Sequence, residues 1–145
     1  MKKTTLITAL TLAVAIHCAP AFAYGISDIS DWTFNDVTEN WYGLTPELSW
    51  LDAENLGVQA GGHLVALNDE AENTWVVDIF AAAFGRWAWI GFNDMAAEGT
   101  WVWTSGDAAG FTNWNKPSEP NNSRGAEDLA IIASNGVWYD YPETM

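Results

Sequence analysis

Polar and apolar positions divide the chain into a helical first half and a second half of short strands and long loops. Residues 24–40 are polar and acidic without clear periodicity, which predicts an N-terminal arm holding at most one short strand. Trp41-Tyr42-Gly43-Leu44 has the composition of a strand that stops at Thr45-Pro46. Ser49 is a good N-cap, and Asp52 three residues on faces the exposed amides. The spacing predicts a helix from Trp50 to Ala60, stopped by Gly61-Gly62. His63 to Leu67 is apolar and short enough for a buried strand, with His63 at its edge as a structural or surface residue.

Asn68 is expected to cap a second helix, with Asp69, Glu70 and Glu72 at its positive end. Ala71, Trp75 and Ile79, with Val76, Phe80 and Ala83, form the expected core stripe, and Gly85 ends the helix. Beyond it the period changes. Trp87 to Phe92 predicts a strand in which Gly91 marks a close approach by another segment. Thr100-Trp101-Val102-Trp103 predicts a second strand with both tryptophans on one face. Residues 104–126 form a long loop of Gly, Asn, Pro, Ser and Asp, in which Phe111 and Trp114 favour order over disorder. Leu129–Ala133 and Val137–Asp140 flank Ser134-Asn135-Gly136, the pattern of a hairpin. Two helices and several strands in this order predict an α+β domain.

Composition changes the picture at the N-terminus first. Lys2 and Lys3, the apolar run from Leu6 to Ile16 and the small-x-small triplet Ala21-Phe22-Ala23 have the pattern of an export leader, residues 1–23. That run is too short to span a bilayer as a helix. Cleavage after Ala23 would leave an exported domain, secreted, periplasmic or at the cell surface, with an arm at 24–40 and a folded unit at 41–145. Beyond the leader, Arg86, Lys116 and Arg124 are three cations against 19 acids, a net charge of −16. No basic stripe exists to replace phosphate counterions, which argues against nucleic acid, and the charge disfavours anionic lipid. The one cysteine, Cys18, lies in the leader, so no disulfide is expected in the processed chain. The ten tryptophans are assigned to the core by default, with Trp114 in the loop left open between core and ligand platform.

The candidate chemistry sits in Glu119-Pro120-Asn121-Asn122-Ser123-Arg124-Gly125-Ala126-Glu127-Asp128. Three carboxylates and two carboxamides in ten residues suit a hard divalent cation, which takes about six to eight oxygens. A solvated acidic turn is the bland alternative. It is weakened by Asp94, Glu98 and Asp140, acids in otherwise apolar, Trp-rich surroundings.

In order and spacing, these residues resemble one known family. Gly61-Gly62-His63-Leu64, the second helix, Trp89-Ile90-Gly91-Phe92, Glu98-Gly99-x-Trp101-x-Trp103, Trp114, Glu119-Pro120-Asn121, Glu127-Asp128 and Trp138-Tyr139-Asp140 are similar to a C-type lectin-like domain over roughly Trp41 to Asp140. With Cys18 in the leader set aside, the resemblance is to a cysteine-free, bacterial-type variant of that family. The resemblance implies two helices, small antiparallel sheets and a long loop that binds Ca2+ and, through it, a mannose-, glucose- or fucose-type sugar. It implies a principal site from Glu119, Asn121, Glu127, Tyr139 and Asp140, all placed at the carbohydrate, with Glu119, Asn121, Glu127 and Asp140 also metal ligands. It further implies a cis bond before Pro120 and an auxiliary site from Asp94, Glu98, Asn122 and Asp128, with a carbonyl of Glu127.

The chain departs from the pattern in three ways. Tyr139 stands where the family carries asparagine, and a neutral phenol is a poorer hard ligand than an amide oxygen. Gly57 and Leu129 stand where disulfide cysteines would be. Only five residues follow Asp140, so the family's final strand is expected to be largely missing. The expected partner is a glycan. Two other readings remain: a calcium-stabilised protein-interaction domain, and a hydrolase using Glu119 and Glu127 as paired carboxylates.

Overall fold

The computed structural model describes the backbone of residues 7–12 and all of residues 24–143; residues 1–6, 13–23, 144 and 145, and with them most of the expected leader, lie outside the described residues. Among them are two α-helices and eight strands joined in one connected set of ladders. In chain order these are β1 (Ile7–Leu12), β2 (Ser30–Asn35), β3 (Asn40–Thr45), α1 (Trp50–Gln59), β4 (His63–Leu64), α2 (Glu70–Phe84), β5 (Trp87–Asn93), β6 (Val102–Trp103), β7 (Leu129–Ala133) and β8 (Trp138–Tyr141). The main path runs β2-β3-β1-β5-β7-β8, with β4 beside β1 and β6 beside β5. Every pairing is antiparallel except those of β1 with β3 and β4. The architecture is the α+β arrangement the pattern predicts.

Local chemistry explains most boundaries. Ser49 Oγ accepts from the Asp52 amide and starts α1. The cap of α2 is Asp69, one residue later than expected, because its Oδ1 accepts from Glu72 N. The short strand expected within 24–40 is β2, which folds back on β3 around a turn held by Asn35 Oδ1. Gly91 is where the sequence expects a close approach: an added Cβ would lie 2.7 Å from the carbonyl oxygen of Leu64 and 2.8 Å from Thr104 Oγ1.

The inward face of α2 differs from the predicted stripe. Val76, Phe80 and Phe84 are buried with Glu72 and Asn73, whereas Ala71, Ile79 and Ala83 are exposed. The two polar residues are tolerated inside because each is paired. Glu72 accepts from the Tyr42 hydroxyl at 2.6 Å and from Asn68 N at 2.9 Å. Burial and the Glu72 hydrogen bond together push the Tyr42 hydroxyl well above its ordinary value, so it remains a donor.

The core has two parts. The larger includes Val76, Phe80, Phe92, Trp103, Trp114 and Trp138; the smaller is Trp50, Ala53, Leu64, Trp89, Leu129 and Ile131. Trp114, the ambiguous loop tryptophan, belongs to the larger core. It lies 4.7 Å from Trp101 and 5.9 Å from both Phe92 and Trp138, measured between ring centroids. This aromatic stack pins the long loop to the sheet and carries the acidic segment that follows it.

Candidate functional site

Three segments bring the acidic residues together: the end of the long loop, β8 and the turn after β5. Asp140 joins them. Its side chain is 3% exposed, and its Oδ2 accepts from the backbone N–H groups of Asn121 and Asn122 at 2.8 and 2.5 Å. One carboxylate oxygen therefore fastens the loop tip to β8. The Glu119–Pro120 peptide is cis, as the resemblance implies. Asn121 Nδ2 donates to Glu119 Oε2 at 2.6 Å, and Ser123 N donates to Glu127 Oε2 at 2.7 Å.

Asn122 connects this group to the second one. Its Nδ2 donates to Glu98, and its Oδ1 accepts from Glu127 N at 3.2 Å. Asp94 is 2% exposed, with Oδ2 accepting from Gly99 N at 2.7 Å and its own N–H donating to the Asp128 carbonyl at 3.0 Å. Glu119, Asn121, Glu127, Asp140, Asp94, Glu98, Asn122 and Asp128 are thus one neighbourhood.

Tyr139 is elsewhere. It is paired with Ile131 across the hairpin and packs, half-buried, against the smaller core cluster. Side chains alternate along a strand, and Trp138 and Asp140 share the opposite face.

The electrostatics show an excess of negative charge. Partial desolvation, then the neighbouring Asp140 carboxyl, raises the Glu119 carboxyl to about 7. Desolvation and the Asp140 charge raise Glu127, although the Ser123 N–H opposes this. Glu98 rises through desolvation and the charges of Asp94, Asp128 and Asp140. Among the described residues, buried side-chain atoms without a hydrogen-bond partner are Asp94 Oδ1, Asp140 Oδ1 and Trp103 Nε1. Two orphaned carboxylate oxygens are costly unless something positive faces them. The donor set of carboxylates and carboxamides fits a hard divalent cation. As placed, no three His, Cys, Asp or Glu side chains among the described residues form a finished cage. The acids are tied instead to carboxamides and backbone N–H groups.

The raised carboxyls predict a pH dependence. A carboxyl group that titrates higher folded than unfolded stabilises the fold below its unfolded value, and that contribution is lost as pH rises through the folded value. The metal-free melting temperature should therefore fall between about pH 5 and pH 8 as Glu119, raised to about 7, ionises, with the upward shifts of Glu127 and Glu98 acting in the same direction. Excess divalent cation should flatten the decline. Melting curves in metal-stripped buffer check this, and a rise over that range would contradict the crowding described here.

Sequence reasoning missed the polar anchor beneath β8. Asn73 Oδ1 accepts from Trp138 Nε1 at 2.8 Å, and its Nδ2 donates to the Gly136 carbonyl at 3.1 Å. Asn113 Nδ2 donates to the same carbonyl at 2.9 Å. This holds the β7–β8 turn to α2 and so sets the height of Asp140. Its signal was an asparagine on the inner face of an apolar helix. Glu54 plays a comparable role for β4, accepting from Leu64 N at 2.8 Å and Thr104 Oγ1 at 3.1 Å, with His63 Nδ1 at 2.6 Å. His63 is structural, as expected.

Comparison with known proteins bears on the same region. Residues 46–144 match the family model of the lectin C-type domain. The mannose-binding protein of Gallus gallus is 38% identical over 87 residues, 60% of this chain and 33% of that protein. The low affinity immunoglobulin epsilon Fc receptor of Mus musculus is 32% identical over 91 residues, 63% of this chain and 26% of the receptor. A solved structure, the cow C-type carbohydrate-recognition domain of CD23 in the presence of GlcNAc2Man3 oligosaccharide, superposes with TM-score 0.58 at 27% identity. It covers 64% of this chain and 69% of that one. The chain spans about a quarter to a third of these two curated relatives. With the family model matching residues 46–144, more than half of the chain, the chain belongs to the C-type lectin domain family.

Proposed function

We propose that this domain binds carbohydrate in a calcium-dependent manner at the loop that Asp140 fastens to β8. The single observation that carries the reading is the buried Asp140 carboxylate, with one oxygen holding Asn121 and Asn122 and the other without a partner. Asp140, Glu119, Asn121 and Glu127 would hold the principal ion. Asp94, Glu98, Asn122 and Asp128 would hold an auxiliary one. When bound, calcium supplies a positive centre whose remaining coordination accepts vicinal hydroxyls, as in a mannose-, glucose- or fucose-type sugar.

The chain's own groups account for the rest. Asn121 Nδ2, which rests on Glu119, can donate to a sugar oxygen, and the Glu119 carboxylate can accept from a hydroxyl. Similarity to the chicken mannose-binding protein and to the cow domain solved in the presence of an oligosaccharide supports a glycan ligand. The C-type lectin family binds carbohydrate and is not an enzyme family, which removes the hydrolase reading of Glu119 and Glu127. Export directed by residues 1–23 is part of this reading.

A second reading is a calcium-stabilised domain that binds protein. Tyr139 favours it, because its ring packs against the smaller core and the hairpin offers no amide at that position. The name of the mouse Fc receptor relative points the same way.

Asn121→Asp separates the two. It replaces the NH₂ donor with a second acceptor beside Glu119 and leaves the fold's hydrogen bond from Asn121 N intact. Retention on mannose–agarose in calcium should be lost or moved to another sugar, with the melting temperature nearly unchanged. Unaltered retention would remove Asn121 from the site.

A further inference from the structure

Beyond the leader the chain carries three cations, and they are not spread evenly. Arg86 lies over the Trp87 ring, its guanidinium carbon 4.1 Å from the centroid, which gives that charge an aromatic partner. Lys116 and Arg124 are both exposed, and both belong to the long loop, on either side of Glu119 and Asn121. Among the described residues, neither makes an ion pair with a carboxylate, although the chain has 19 acids.

Two turns set their positions. The Asn115 carbonyl accepts from Ser118 N and Glu119 N, each at 3.1 Å, so Lys116 belongs to the turn that delivers Glu119. Gly125 N donates to the Asn122 carbonyl at 2.9 Å, which closes a turn around Arg124. Arg124 stands there with φ 64°, a left-handed conformation that glycine adopts without strain. It is close to Glu127: burial raises that carboxyl, and the Arg124 charge opposes the rise.

The local charges single out this loop. Glu119, Glu127, Asp140, Asp94, Glu98 and Asp128 bring six negative charges. Two divalent ions would offset four of them, and Lys116 and Arg124 offset the other two. Neither cation helps to hold a metal, because like charges repel. What they can face is an anion brought by the ligand. An exposed guanidinium grips sulfate or carboxylate oxygens through paired N–H donors, and an ammonium adds a point charge. Salt screens charges beyond about 8 Å at physiological ionic strength, so distant acids on the chain repel such a ligand only weakly.

We propose that the glycan bound at this loop is acidic, with a sulfate or carboxylate group held by Lys116 and Arg124 beside the hydroxyls that calcium would take. This rests on the carbohydrate reading above and narrows its ligand class.

The test is calorimetric titration in calcium. Methyl α-mannoside is compared with its 2-sulfate and 6-sulfate, each of which leaves a vicinal hydroxyl pair free, and methyl α-glucoside with methyl α-glucuronide. An exposed ion pair is worth a few-fold, so two should make an anionic form bind about tenfold more tightly than its neutral parent. A gain confined to the sulfates assigns the anion as sulfate, and one confined to the glucuronide assigns it as carboxylate. Lys116→Gln combined with Arg124→Gly, which keeps both backbone conformations, should lose the gain. A second readout needs no sugar. Freed of two repelling cations, the double variant should reach its calcium-induced melting shift at a few-fold lower calcium than wild type. Equal binding of neutral and anionic sugars would overturn the proposal and leave the carbohydrate reading standing, as would a gain that survives in the double variant. An unchanged calcium midpoint would put the two cations too far from the metal and overturn it as well. No heat from any sugar, with a normal calcium shift, would remove the carbohydrate reading and this inference together.

Discussion

Trp138→Ala should lower the melting temperature by more than about 10 °C and take the divalent-cation response with it. Trp138 is fully buried, and its ring centroid lies 5.6–5.9 Å from those of Phe92, Trp103, Phe111 and Trp114. Removing a buried tryptophan ring costs ~3–5 kcal/mol. A domain of this size loses a few degrees per kcal/mol. The change also strips Asn73 Oδ1 of its donor, a further ~1–3 kcal/mol for a buried acceptor left unpaired. Trp138→Phe divides the effects, keeping most of the packing while losing the N–H. It should fall between wild type and the alanine variant in thermal melts. If Trp138→Ala melted within a few degrees of wild type, the aromatic stack would not be what carries the loop.

Asp140→Ala is expected to have a large effect only when calcium is present. Without metal, two consequences oppose each other. The N–H groups of Asn121 and Asn122 lose a charged acceptor, which costs stability, while Glu98, Glu119 and Glu127 lose a repelling neighbour, which restores some. The net change in chelator should be small. In calcium at about 100 times its dissociation constant, wild type gains ~2.7 kcal/mol, or about ten degrees, and the variant should gain almost none. Asp140→Asn retains an oxygen for the two N–H groups but gives up the charge, so it should keep the wild-type melt in chelator and also fail to respond. A calcium shift of normal size in both variants would contradict the central place given to Asp140.

Much of the fold could be read along the chain because its signals are local. The Ser49 cap, the Gly85 stop and the tight position at Gly91 depend on neighbours a few residues away or on the absence of a side chain. The acidic loop was legible for the same reason, since its carboxylates and carboxamides are nearly contiguous. The buried face of α2 was not. Glu72 and Asn73 turn inward only because Tyr42, 30 residues earlier, and Trp138, 65 residues later, meet them. Periodicity alone places apolar Ala71 and Ile79 there. Tyr139 was assigned by position in a motif, whereas the alternation of β8, anchored by Trp138 and Asp140, sends it to the other face. The strand position of residues 7–12 was hidden because an apolar run after two lysines fits a leader and a buried strand equally well.

The most direct test is calorimetric titration of methyl α-mannoside, methyl α-glucoside and fucose into the calcium-saturated chain and into the same chain in EDTA. Calcium-dependent glycan binding predicts saturable heat from at least one sugar in calcium, none in EDTA, and a loss with Asn121→Asp. No heat from any of them, in a protein whose melting temperature calcium does raise, would contradict glycan binding and leave the calcium-stabilised protein-interaction domain in its place.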